Sequence, residues 1–136
     1  MVTQYVAIAA AIFAGIALLF NYFAFRKQQK NIQVMLLREF VDKNVELLVK
    51  QKEYESKNKI GDFCVIFLGH LEWLAYLVNN KFIPLKMVDL YRGLIVNWYK
   101  KVRIDQKEVL ADYMERQPRA FSELDELYEK LKNTNE

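Results

Sequence analysis

The apolar positions of this chain fall into one unbroken block and then into a series of helical stripes. The block runs from Tyr5 to Phe25, with Asn21 its one strongly polar side chain, and Arg26 is the first charge in the sequence. As a helix rising about 1.5 Å per residue the block is roughly 31 Å long, close to the thickness of a bilayer's hydrocarbon core. A continuous helix also satisfies every backbone N–H and C=O within the segment, as lipid requires. The pattern therefore predicts a transmembrane anchor over residues 1–25.

After Arg26 the pattern changes. Val34, Leu37, Val41, Val45 and Leu48 recur at spacings of three and four, which predicts an amphipathic juxtamembrane helix over residues 26–57 that packs on a bundle. Neither Gly nor Pro separates it from the anchor, so the two can form one long helix, kinked if anywhere near Gln28 to Asn31. Ser56-Lys57-Asn58-Lys59-Ile60-Gly61 supplies stop and turn signals. Asp62 can cap a second helix from Phe63 to about Val78, apolar on nearly every face and so expected at the centre of a bundle. Gly69, one turn from Val65 and from Trp73, is read there as the mark of a close helix–helix contact.

Asn79-Asn80-Lys81 ends the second helix, and Pro84 suits the first turn of a third that reaches about Lys101 with Met87, Leu90, Tyr91, Leu94, Ile95 and Trp98 on its apolar face. So short a connection makes these helices antiparallel neighbours. A further helix is expected over residues 105–116. Beyond Pro118, Ser122 followed by Asp125 gives a capping-box signal for a last helix presenting Leu124, Leu127, Tyr128 and Leu131. The expected fold is all-α: one N-terminal transmembrane helix, then a small antiparallel bundle of four to five helices. Its core occupies residues 58–132, and residues 133–136 form a frayed tail.

Charge gives the anchor an orientation. All 20 Lys+Arg and 17 Asp+Glu residues follow Phe25. Arg26, Lys27 and Lys30 sit just past the apolar block, and short basic flanks stay in the cytoplasm, which places the N-terminus outside and the remainder inside. A cleaved signal peptide fits poorly, because no Lys or Arg precedes residue 26 and the block ends in bulky aromatics rather than a small-residue cleavage site. Tyr5, Tyr22, Phe23 and Phe25 instead suit the two interfaces. A second span over residues 63–78 is disfavoured by its length and by His70 and Glu72 near its middle. Ala7, Ala11 and Gly15 share one face of the anchor, a spacing through which spanning helices associate with a copy of themselves or with another membrane protein.

Length leaves room for one small domain after the anchor. Gly (4) and Pro (2) are too scarce for a sheet joined by tight turns. The lone Cys64 cannot form an intrachain disulfide, which suits a reducing compartment.

Chemistry is sparse. His70 is the one histidine, no cysteine cluster or HExxH motif accompanies it, and no metal site or cofactor is expected. Cys64 and His70 diverge by about 240° around their helix, which disfavours a Cys-His nucleophile pair. No glycine-rich loop exists to cradle a phosphate, and no small-molecule substrate is evident. Glu72, in so apolar a helix, needs a partner, and a Lys, Arg or Tyr of a neighbouring helix is expected, with Arg92 one candidate. His70 and Glu72 are thus read as buried polar residues with structural roles. Between residues 81 and 103, Lys81, Lys86, Arg92, Lys100, Lys101 and Arg103 face only Asp89, with Tyr91, Trp98 and Tyr99 interleaved. Lys100, Lys101 and Arg103 are the candidate basic surface for anionic headgroups or nucleic acid. A net charge of +3 argues against nucleic acid, and the same residues suit a helix C-terminus.

Phe67-Leu68-Gly69-His70-Leu71-Glu72-Trp73-Leu74-Ala75, then Asn79-Asn80-Lys81-Phe82-Ile83-Pro84, then Ile95-Val96-Asn97-Trp98-Tyr99, resembles a family of small, functionally uncharacterised prokaryotic proteins. That resemblance covers about residues 60–130 and implies a spanning helix before a helical domain, with no reaction attached. The function expected from the whole is a single-pass, membrane-anchored, non-catalytic interaction protein, an accessory subunit or scaffold with a cytoplasmic helical domain. A self-associating membrane sensor or regulator is the alternative, and headgroup or nucleic-acid binding the second alternative. An enzyme is not expected.

Overall fold

A computed structural model describes residues 1–133, and every element in them is helical. Five α-helices follow one another among the described residues: α1 (Val2–Ser56), α2 (Ile60–Asn79), α3 (Arg92–Tyr99), α4 (Ala111–Arg116) and α5 (Ser122–Asn133). Tighter 3₁₀ turns over Leu85–Tyr91 and Lys107–Leu110 precede α3 and α4, and one wider π turn over Lys100–Asp105 follows α3. Asn133 closes α5, so of the expected frayed tail this one residue is helical and residues 134–136 lie outside the described ones. The chain divides into two compact units, Met1–Leu37 and residues from Arg38 onward.

In the first unit α1 is helical throughout, Gln28 to Asn31 included. The block from Tyr5 to Phe25 is long and apolar enough to cross a membrane, and none of its residues is buried. Arg26 lies over the ring of Tyr22, 5.7 Å from its centroid, so the first charge sits beside an aromatic at the end of the block.

In the second unit the core is built on α2. Phe63, Phe67, Leu68, Leu71 and Leu74 are fully buried, as are Ile83, Val88, Ile95 and, on α5, Leu124, Leu127 and Leu131. Each such side chain contributes roughly 1.5–3 kcal/mol of burial. The helix also passes a length-and-composition test for a membrane span, but half of its apolar window is covered by its own unit, as expected of a core helix. The stripe Leu124, Leu127, Tyr128 and Leu131 is buried as its spacing predicts.

Side-chain pairs set the directions. Phe40 stacks on His70 at 4.4 Å while Tyr54 meets Phe63 at 5.8 Å, so the end of α1 runs antiparallel to α2. Arg92 reaches the carbonyl of Leu131 while Tyr99 meets Asp125, so α3 runs antiparallel to α5.

Three expectations are corrected. The buried stripe of α1 is Phe40 and Leu47, and Val34, Val45 and Leu48 are exposed. Both stripes have helical spacing, and the larger ring of Phe40 takes the core position. The third helix is not one helix: 3₁₀ winding before α3 turns Val88 into the core and leaves Leu90 89 % exposed. Gly69 marks no close contact within the chain, because a Cβ there would meet nothing within 4 Å.

Each helix of the α1–α2 hairpin is followed by a left-handed residue. Asn58 (φ 57°) follows α1, where Asn58 N–H donates to Glu55 O and Lys59 N–H to Tyr54 O. Lys81 (φ 62°) follows α2, where Lys81 N–H donates to Val78 O and Phe82 N–H to Leu77 O. These crossed bonds satisfy carbonyls that the last turn of each helix would otherwise leave free. Asparagine tolerates that conformation, and lysine pays its full steric cost. Replacing Lys81 by Gly is therefore expected to raise stability by about 0.5–1 kcal/mol, read as a higher Tm in a thermal melt. A lower Tm contradicts this assignment.

Candidate functional site

Polar chemistry in the second unit gathers where α2 and α3 meet the start of α5. A helix begins with N–H groups that have no partner inside it. In α5, Ser122 N–H donates to Arg119 O and Asp125 N–H to Phe121 O, which leaves Glu123 and Leu124. Their N–H groups donate to the Glu72 carboxylate, Glu123 to Oε1 at 3.0 Å and Leu124 to Oε2 at 2.6 Å. Glu72 thus caps a helix remote in sequence, with a negative charge at the positive end of the α5 dipole. Burial raises its carboxyl above the ordinary range, and the two N–H donors pull it back.

The partner expected for Glu72, a Lys, Arg or Tyr, is therefore corrected to backbone N–H groups. Arg92 serves another helix end, donating to the carbonyl of Leu131. The Ser122 capping signal is also corrected, since the cap comes from α2. Asn79, two turns after Glu72, adds a second tie: its amide donates to Glu123 O at 2.9 Å and to Glu123 Oε2 at 2.8 Å, and its oxygen accepts from Lys130 at 3.1 Å.

A second cluster faces Asp125. The Tyr99 hydroxyl donates to Oδ1 at 2.8 Å, and Arg103 donates to Oδ1 and Oδ2 at 3.1 and 3.2 Å. Tyr99 stacks on Tyr128 at 4.1 Å, and the Arg103 guanidinium lies over the rings of Tyr99 and Phe121. Burial and the Asp125 carboxylate push the Tyr99 phenol up to about 12, so it stays a proton donor at neutral pH.

Lys100, Lys101 and Arg103 each meet different neighbours. Arg103 is tied to Asp125, Lys101 lies over Trp98 at 5.2 Å, and Lys100 lines a cleft of about 280 Å³ with Arg92, Val96 and Tyr128. Another depression of about 440 Å³ is lined by Val78, Lys81, Ile83 and Lys130.

His70 is buried in a stack between α1 and α2. Burial pulls its imidazole down to about 4, against a weaker opposing hydrogen bond to the Phe40 backbone. Cys64 is a buried free thiol, and burial pushes it up. Among the described residues no group of His, Cys, Asp and Glu is arranged to hold a metal ion. In the first unit Ala7, Ala11 and Gly15 are exposed, as are Lys27 and Lys30.

Sequence reasoning missed Asn79, Glu123, and the union of Tyr99 and Arg103 on Asp125. Two signals could have found them: Glu72 and Asn79 share one stripe of α2 two turns apart, and Tyr99 and Arg103 stand four apart. No protein-family model, no curated protein and no solved structure matches this chain.

Two outcomes follow from this geometry. Glu72→Gln keeps one acceptor but turns an amide toward the other N–H, and is expected to cost about 2 kcal/mol in urea unfolding; an unchanged midpoint contradicts the cap. For His70 the folded pKa lies near 4 against 6.5 for the free side chain, so the unfolded chain binds the proton first. Stability then falls as pH drops from 6.5 towards 4, by about 2–3 kcal/mol, and is unaffected by this group above 6.5. His70→Phe keeps a stacking ring and removes that part of the slope, which a pH series of urea midpoints measures; an identical slope in the variant contradicts the assignment.

Proposed function

We propose that this protein is a single-pass, membrane-anchored docking protein, with the Tyr5–Phe25 segment in lipid and the helical unit from Arg38 onward as a non-catalytic interaction domain on the cytoplasmic side. The observation that carries the reading is the contrast between its two apolar helices. The core helix α2 finds cover in its own unit, whereas the longer apolar block of α1 is wholly exposed. Exposed apolar surface of that size needs lipid or a partner, and its length and flanking Arg26, Lys27 and Lys30 favour lipid.

The non-catalytic part rests on what the buried polar groups do. Glu72, Asn79, Tyr99, Arg103 and Asp125 all spend their hydrogen bonds on joining helices. Membership of the small prokaryotic family that the α2 and α3 segments resemble belongs to the same reading.

Alkaline carbonate extraction tests the anchor. The full chain is expected to stay in the membrane pellet, and Leu18→Lys with Leu19→Lys to release it, since each charge near the segment's middle costs about 2.5–3.5 kcal/mol of insertion. Extraction of the wild-type chain by carbonate would sink the reading. A C-terminal reporter active only in the cytoplasm tests the orientation, and activity outside reverses it.

A further inference from the structure

Among the described residues, nothing in the second unit buries the outer face of α2. Asp62, Ile66, Gly69, Trp73, Tyr76 and Asn80 recur there at alternating spacings of four and three, the seam spacing of paired helices. All are exposed, with Ile66 at 41 %, Trp73 at 36 % and Tyr76 at 47 %. Phe82, whose ring centroid is 6.2 Å from that of Tyr76, prolongs the apolar strip at one end as Ile60 does at the other. Gly69 in the middle makes no close packing contact among the described residues: its φ is not positive, and a Cβ would meet nothing within 4 Å. A glycine inside a helix weakens it, and here it leaves a gap on the surface beside the partly exposed indole of Trp73.

We propose that this face binds the same face of a second copy of the chain, with the two α2 helices antiparallel. The six positions are symmetric about Leu71. Inverting the helix sets Gly69 opposite the second copy's Trp73, Ile66 opposite its Tyr76, and Asp62 opposite its Asn80 beside Lys81. The indole fills the gap over the glycine, twice by symmetry, and the carboxylate meets an amide and an ammonium group. A parallel pair would instead set Trp73 against Trp73 and Asp62 against Asp62, with the two gaps facing each other. The antiparallel arrangement is an isologous two-fold interface, self-complementary in shape and in charge. It is separate from the Ala7, Ala11 and Gly15 face and does not depend on the first helix lying in lipid.

The test uses the full chain in mild detergent. Gly69→Leu points into open space in the single chain and improves helix propensity, so its Tm at dilutions where the chain is monomeric is expected not to fall. The same side chain blocks the second copy's Trp73, so the dimer dissociation constant, read by analytical ultracentrifugation, is expected to rise by about tenfold or more. In a Cys64→Ala background, a spin label on Asp62→Cys reports direction. The antiparallel pair sets the two labels about 27 Å apart along the helices, and a parallel pair sets them side by side. A chain monomeric at every concentration, a dimer indifferent to Gly69→Leu, or adjacent labels overturns the proposal. Carbonate release together with a Gly69-sensitive dimer would refute the anchor and leave this interface standing.

Discussion

The pair of hydrogen bonds from the first turn of α5 to Glu72 is the contact on which the second unit depends. A carboxylate placed in the apolar core helix of this unit is costly unless its oxygens are met, and a helix start is costly unless its N–H groups are met. Each cost cancels the other only when α5 begins against α2. That condition fixes where Leu124, Leu127 and Leu131 enter the core, and it brings Asp125 to Tyr99 and Arg103. Hydrophobic burial supplies most of the stabilisation, and the cap selects the register in which burial occurs.

How much of this was legible follows from where the information lies. The identity of α2 as the core helix and the buried stripe of α5 could be read off, because spacing within one helix decides them. The face of α1 could not, since Val34, Val45 and Leu48 keep the same period as Phe40 and Leu47, and tertiary fit chooses between them. The broken third helix was equally hidden: the residues from Leu85 to Trp98 suit a helix, and the 3₁₀ winding that buries Val88 leaves no mark in their spacing. Glu72 announced that it needed partners but not which ones, because backbone N–H groups carry no sequence signature. Its companions Tyr99 and Arg103 lay in a segment read as a candidate basic surface, where the Arg103 charge is in fact absorbed by Asp125. Lys81 gave no warning either, for a left-handed turn is advertised by glycine or asparagine and seldom by lysine.

The two units divide the work by the kind of surface they present. In the second, burial is paired with hydrogen bonding at nearly every polar contact that joins helices, and the imidazole of His70 is kept uncharged in its stack. In the first, none of the described residues of the apolar block is buried. A chain whose buried polar groups join helices in one unit and whose apolar block is exposed in the other is suited to being positioned and to being bound, which is the sense in which placement at a membrane is proposed as its function.

Site-resolved hydrogen exchange of the full chain in lipid bilayers tests this account most directly, because it reads both units at once. The account predicts that the Glu123 and Leu124 amides exchange only on global unfolding of their unit, and that the amides of residues 5–25 are protected beyond it by lipid. Exchange of Glu123 and Leu124 at the rate of a fraying helix end, with exchange of residues 5–25 at that of a solvated helix, would contradict it.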